Sequence, residues 1–186
     1  FNIVLVGIMS FYLSVQERGI ENVLRIITPK NNEEYVTGLW NRVEKKIGLW
    51  FQGQIILGLI VGLTLYIFLT IFGIEYALIL ALLAFVFELI PFGLILATIP
   101  AVVFAYAQGG LFLVFIIGVI YFVVGQIEAY FIAPIITKRM VGVPPILMIL
   151  SVLIGGQLAG AWGVILSIPV SVFLLEYIED LEKSKK

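Results

Sequence analysis

ALILALLAFVFELIPFGLILATIPAVVFAYA, residues 77–107, is the stretch on which the fold of this chain turns. It is almost wholly apolar, and Glu88, Pro91 and Gly93 stand together at its middle. Proline removes a backbone donor and clashes with the turn before it, and glycine tolerates backbone angles that other residues avoid, so a helix is expected to break here. Each half has about 15 residues and would reach about 22 Å as a helix, short of the ~30 Å hydrocarbon core of a bilayer. The segment is therefore either one long kinked span or two short helices that enter and leave on the same side, a re-entrant hairpin.

The rest of the chain makes lipid the relevant solvent. Of 186 residues, 62% are apolar and only 12% are charged; mean hydropathy is +1.16. Residues 47–137 carry three charges, all glutamates: Glu75, Glu88 and Glu128. A water-soluble domain could not cover its surface with so few polar groups. There is no Cys and no His, which removes disulfides, thiolate metal sites and the commonest general base, and the only Asp is Asp180 near the polar C-terminus. Neither a cofactor nor a metal is expected, nor an enzyme, since Glu, Tyr and hydroxyl groups alone remain for chemistry. A net charge of −1 argues against a nucleic-acid partner.

Working outward from the broken segment gives five parts. Residues 1–15 are apolar but too short for a full span and read as a partial one; the chain is expected to be the C-terminal portion of a longer protein. Residues 16–48 read as a cytoplasmic amphipathic helical hairpin. Ile20, Val23, Leu24 and Ile27 form one stripe, Pro29 ends the first helix, and Val36, Leu39, Trp40, Val43, Ile47 and Trp50 form the second stripe. The charges of this hairpin are expected to form a solvated face. Residues 49–107 hold a transmembrane span and the first broken segment. Residues 111–178 repeat that arrangement, with Gly155, Gly156, Gly160 and Gly163 interrupting the second broken segment. Residues 179–186 are a cytoplasmic tail. The fold class is all-α: a polytopic helical membrane protein with two re-entrant hairpins.

Lys and Arg separate the two topologies. With both broken segments re-entrant, all 11 cationic residues fall on one side, and the opposite turns at 74–76 and 108–110 have none. A single crossing of 77–107 would move Lys138, Arg139, Lys183, Lys185 and Lys186 outside, against the tendency of cationic loops to stay in the cytoplasm. Two cramped full crossings would give the same count. The broken segments also resemble each other. Gly73 to Leu80 matches Gly142 to Ile149, and Phe92 to Pro100 matches Trp162 to Pro169, at offsets of 69–70. If one hairpin enters from each side, this is an inverted repeat, an arrangement that places a transport site near the midplane at discontinuous helices.

Glu88 lies just before the first tip. A carboxylate at such depth is expensive and is expected to be protonated, paired or bound to a cation. The structural alternative is a neutral Glu88 donating to carbonyls freed by the Pro91 break. Glu128 and Gln126 sit two-thirds of the way along the next span, and Gln157 follows Gly155 and Gly156 at the second tip; these could bind a cation or solute, or make polar contacts between helices. Pro91, Gly93, Pro100, Gly155, Gly156, Gly160, Gly163 and Pro169 are read as tips and hinges that shape the site.

Glu88-Leu89-Ile90-Pro91-Phe92-Gly93 with Ile99-Pro100-Ala101, then Gln126-Ile127-Glu128 with Pro134 and Val141 to Pro145, then Gly155-Gly156-Gln157-Leu158-Ala159-Gly160 with Gly163 and Pro169, resemble the signature stretches of the autoinducer-2 exporter (AI-2E) family, the PerM-like permeases. The likeness covers most of residues 50–180. Leu94 departs from it, where the family often has Pro, and so does Ala129, where it often has Asn. The resemblance implies a multi-pass permease of the prokaryotic inner (plasma) membrane, exporting autoinducer-2 or a similar small polar solute, with or without cation coupling. It also implies the alternative of a sodium(lithium)/proton antiporter, with Na+ or H+ as partner, and a homo-oligomer, a pentamer among the forms. A membrane scaffold acting through residues 16–48, or a pore, is the rival of another class.

Overall fold

A computed structural model describes residues 19–135 and 145–183; the expectations for residues 1–15, for Lys138 and Arg139, and for the repeat half beginning at Gly142 lie outside the described residues. Among the described residues the chain is all-helical. The elements are α1 (Gly19–Ile27), α2 (Glu33–Ile71), α3 (Ala77–Glu88), α4 (Gly93–Ile127), a π-helical turn (Glu128–Ile132), and α5 (Pro145–Lys183). Three helices are long and apolar enough to cross a membrane: Glu33–Ile71, Gly93–Ile135 and Ile146–Lys183. The protein is thus a multi-pass membrane protein. The described residues fall into two compact units, 19–45 with 176–183, and 46–135 with 145–175.

In the first unit, Leu39 and Val43 are buried along the start of α2, as the second stripe anticipates. On α1 one charge departs from the expected solvated face. Ile20, Val23 and Ile27 of α1 are exposed, whereas Glu21 is buried. Arg25 Nη2 donates to Glu21 Oε1 at 2.8 Å, and its Nη1 donates to Glu33 Oε1 at 3.2 Å. Only the Glu21 carboxylate is covered, paired with an Arg25 that is itself 47% exposed, so the buried charge keeps its counter-ion. Arg42 also ties α2 to the end of α5. Its Nε donates to the buried Glu176 at 2.8 Å and its Nη2 donates to Asp180. The Glu176 hydrogen bond holds the Arg42 guanidinium above its ordinary value.

The second unit is built on close helix approach. Leu57, Val61, Leu65 and Leu69 recur every fourth residue and bury one side of α2. On the neighbouring face, Gly58 and Gly62 let α3 lie almost on the backbone: a Cβ on Gly58 would stand 3.0 Å from Phe85 O, and one on Gly62 would stand 3.2 Å from Ala81 O. In a membrane, where apolar surface gains nothing over lipid, such small residues permit the contact that holds helices together. α4 repeats the device with Ala97, Ala101 and Ala105, all buried.

Besides the turns at residues 28–32 and 72–76, three breaks interrupt the apolar segments. Residues 89–92 separate α3 from α4. Inside α4 the backbone leaves helical angles at Gly109 (φ −146°, ψ 19°) and Gly110 (φ 64°, ψ −155°). Inside α5 it does the same at Ala159 (φ −139°, ψ 18°) and Gly160 (φ 57°, ψ −135°). The left-handed position is glycine in both, as a positive φ favours. Beyond each turn the chain comes back on itself: Gly125 faces Leu94, and Gly155 meets Gly163 so closely that a Cβ on Gly163 would stand 1.7 Å from Gly155 O. The second tip is therefore Ala159-Gly160, with Gly155 and Gly156 in its helical arm. Pro100 and Pro169 lie inside helices whose departures are at 109–110 and 159–160, so neither breaks its helix.

Candidate functional site

The turn after α3 presents Glu88. Pro91 has no N–H to offer the Glu88 carbonyl, and the chain turns through Phe92 in the left-handed region (φ 63°) before α4 begins. A bulky residue at positive φ is uncommon and strained, and strain of this kind gathers where surrounding structure over-determines a site. The Glu88 carbonyl is satisfied from another helix: Gln54 Nε2 of α2 donates to it at 2.8 Å. Sequence reasoning passed over Gln54, although two amides, Gln52 and Gln54, in an apolar span were a visible signal.

The Glu88 side chain is buried, and its Oε2 has no hydrogen-bond partner. The freed Glu88 carbonyl is met by Gln54 and does not depend on the Glu88 side chain. The Glu88 carboxyl lies close enough to that of Glu128 for the two charges to be felt by each other. Glu128 opens the π-helical turn, in which the Ala133 N–H donates to the Glu128 carbonyl five residues back. Pro134, just beyond, crowds the preceding turn and supplies no donor, which accounts for the widening. π-turns of this kind are frequent at functional sites.

Glu128 also faces a groove of about 770 Å³ between the two arms of α4. Its walls are mainly apolar, from Phe92, Leu94 and Ile95 to Val102, Val103 and Phe122; the polar residues along it are Thr98, Tyr121, Gln126 and Glu128. The structure thus brings Glu88, Glu128 and Gln126 into one region, with Gln126 exposed and Glu128 half-buried. Gln157 is exposed on the arm before Ala159-Gly160 and does not line the groove. Gly93 lies at the root of the site, where a Cβ would stand 1.7 Å from Phe87 O. Glu75 is exposed at the turn before α3. There Gln108, which sequence reasoning also missed, accepts from Glu75 N and donates to Gly73 O, both at 2.9 Å. Among the described residues no cluster of three metal-ligating acidic, His or Cys side chains occurs.

Two facing carboxyls, a broken helix and an adjoining groove can hold a proton or a cation beside a small molecule. The comparisons agree with a transport protein. Three similar proteins are YrrI of Bacillus subtilis (28% identical, covering 88% of this chain and 46% of that protein), a Thermotoga maritima protein (28%, 94% and 54%) and PerM of Escherichia coli (29%, 92% and 49%). The first two bear provisional names as transport proteins and the third as a permease. The chain spans about half the length of these relatives. No solved structure matches it. The model of the AI-2E family transporters matches residues 1–183, nearly the whole sequence and every part of the site, and the chain belongs to that family of membrane transporters.

Proposed function

We propose that the protein is a secondary transporter that exports a small polar solute such as autoinducer-2, with the Glu88–Glu128 pair as its coupling group. One observation carries the reading: two carboxyls meet at a broken helix in a stretch, residues 47–137, that contains no Lys or Arg. Like charges at close range in a low-dielectric medium repel, so the pair is stable with a proton or a cation between its members and is costly without one. Loading and release of that ion, alternately from the two sides, would drive the solute.

The hairpin geometry supports this reading. α3 is about 18 Å long, and the α4 arm before Gly109 is about 24 Å, each short of the ~30 Å core. Both arms suit a re-entrant hairpin. Gly93 and Gly163, equivalent in the proposed inverted repeat, each sit where a Cβ would stand 1.7 Å from a carbonyl of the opposite arm. With residues 16–48, Lys138, Arg139 and the C-terminus in the cytoplasm, every cation lies on the inner side of a prokaryotic plasma membrane. A homo-oligomer is the arrangement the family suggests.

A sodium(lithium)/proton antiporter is the second reading, favoured by the all-oxygen character of the pair, which suits a hard cation. The test is flux through full-length protein in proteoliposomes, with autoinducer-2 or sodium supplied under an imposed proton gradient. Wild-type protein is expected to move protons with one of them, and E88Q and E128Q are expected to abolish that coupling. Proton-coupled flux surviving in both variants would remove the pair from the mechanism. Sodium exchange in the absence of autoinducer-2 would select the antiporter.

A further inference from the structure

Residues 47–137 hold four side-chain amides, Gln52, Gln54, Gln108 and Gln126, and no Asn. Three of them have an evident place. Gln52 stands beside Trp50 at the start of its span, where interfacial water is expected. Gln54 donates to Glu88 O, and Gln108 bonds both Gly73 O and Glu75 N. Gln126 has no hydrogen-bond partner among the described residues. It is exposed and lines the groove between the two arms of α4. It lies about 24 Å along its arm from the turn at Gly110, well inside a hydrocarbon core of ~30 Å. Hydrocarbon offers an amide neither donor nor acceptor, so an open amide at that depth is costly unless the groove holds something that bonds it.

We infer that Gln126 is the solute-recognition residue of the groove: its NH2 donates to one oxygen of the carried molecule, and its carbonyl accepts from a neighbouring hydroxyl or N–H. The assignment rests on the transport reading and narrows its substrate class. An amide matches a ligand that presents a donor and an acceptor side by side, as a vicinal diol, a hydroxyketone or another amide does. The groove lining has no Lys or Arg and includes Glu128, so an anion meets repulsion there, and a cation competes with the coupling ion for the carboxyl pair. The fitting solute is therefore neutral. Thr98, on the other arm, donates its hydroxyl hydrogen to Leu94 O at 2.9 Å and has only acceptor capacity left. Leu94, Ile95, Ile99 and Val102 offer nothing to further hydroxyls. A compact molecule with one polar edge thus fits better than a polyol with hydroxyls on every side.

Two measurements on the full-length protein test this. The first is calorimetric binding of three ring compounds of similar size: cis-1,2-cyclohexanediol, with one polar edge; cyclohexanol, which lacks the second hydroxyl; and myo-inositol, with hydroxyls all round. A site built to hydrogen-bond a group discriminates against a ligand without it, so the wild-type protein is expected to bind the diol about tenfold or more tightly than either of the others. Q126L is expected to lose that factor and the preference, with its thermal unfolding midpoint unchanged or raised. The second measurement places a single cysteine by Q126C, which is expected to react with a membrane-impermeant thiol reagent and to be protected by the diol. Diol binding that is absent, no tighter than that of cyclohexanol, or equal in Q126L would overturn the assignment. So would a Q126C thiol that resists the reagent, since the amide would then face lipid or another chain. Failure of the transport reading shows separately, as a wild-type protein that binds the diol but moves neither solute nor protons in proteoliposomes.

Discussion

Replacing Gly93 by alanine tests the geometry on which the site depends. The added Cβ would lie 1.7 Å from Phe87 O, 2.2 Å from Phe87 C and 2.8 Å from Glu88 N. An ordinary carbon–oxygen contact is about 3.3 Å or more, so the two arms must part by about 1.5 Å at this level. All three obstructing atoms are backbone and cannot rotate aside. Forced separation of packed backbone costs about 1–3 kcal/mol. The movement also carries the Glu88 carbonyl away from Gln54 Nε2, a bond of 2.8 Å that does not survive such a stretch. The orphaned carbonyl adds about 1–3 kcal/mol, for a total of about 2–6 kcal/mol. Chemical unfolding of the purified full-length protein in detergent measures the loss, and proteoliposome flux reports whether Glu88 and Glu128 still act together. Gly118→Ala is the control. It lies within α4 with nothing within 4 Å of its Cβ, and helix propensity makes it neutral or stabilising by up to about 1 kcal/mol. If G93A unfolds at the same denaturant concentration as G118A and keeps its coupled flux, the close approach of the arms is wrong, and the reasoning that places Glu88 falls with it.

Gln54→Met keeps the volume of the side chain and removes the donor, so it is expected to lower stability by about 1–3 kcal/mol in the same unfolding assay. Because G93A breaks the same bond, the double variant should lose less than the sum of the two, and strict additivity would show that Gln54 and the turn are independent. Arg42→Met removes the cation that bridges Glu176 and Asp180. Arg42 is 45% exposed and Glu176 only 5%, so the loss should fall between the ~0.2–1 kcal/mol of an exposed pair and the ~3–5 kcal/mol of a buried one. A wild-type and an R42M protein of equal stability at low and high salt would show that these ion pairs contribute nothing.

What could be read from the sequence was what backbone chemistry dictates locally. Pro91 and Gly93 mark a break, and helix ends at Glu88 and resumes at Gly93; the apolar run made every element helical, and the punctuation by Gly, Pro and Gln-Ile-Glu identified the family. The second break was placed less well, because Gly155, Gly156, Gly160 and Gly163 are equally permissive one at a time. They differ only in tertiary company: Gly155 and Gly163 are there because two backbones touch, and Gly160 because φ is positive. The same limit applies to α1. A stripe of Ile20, Val23 and Ile27 states which side is apolar, and not whether protein or another medium covers it, nor that Glu21 is buried in a pair with Arg25. It explains the site as well. That a membrane carboxyl needs a partner follows from its chemistry; that the partner of Glu88 is Glu128, 40 residues on, and that Gln54 meets the Glu88 carbonyl, depends on how α2, α3 and α4 lie together. A broken helix announces in sequence that backbone groups have been set free. Which side chain answers them is settled only when the helices pack, and at the first break the answer comes from Gln54 of another helix, not from Glu88 beside it.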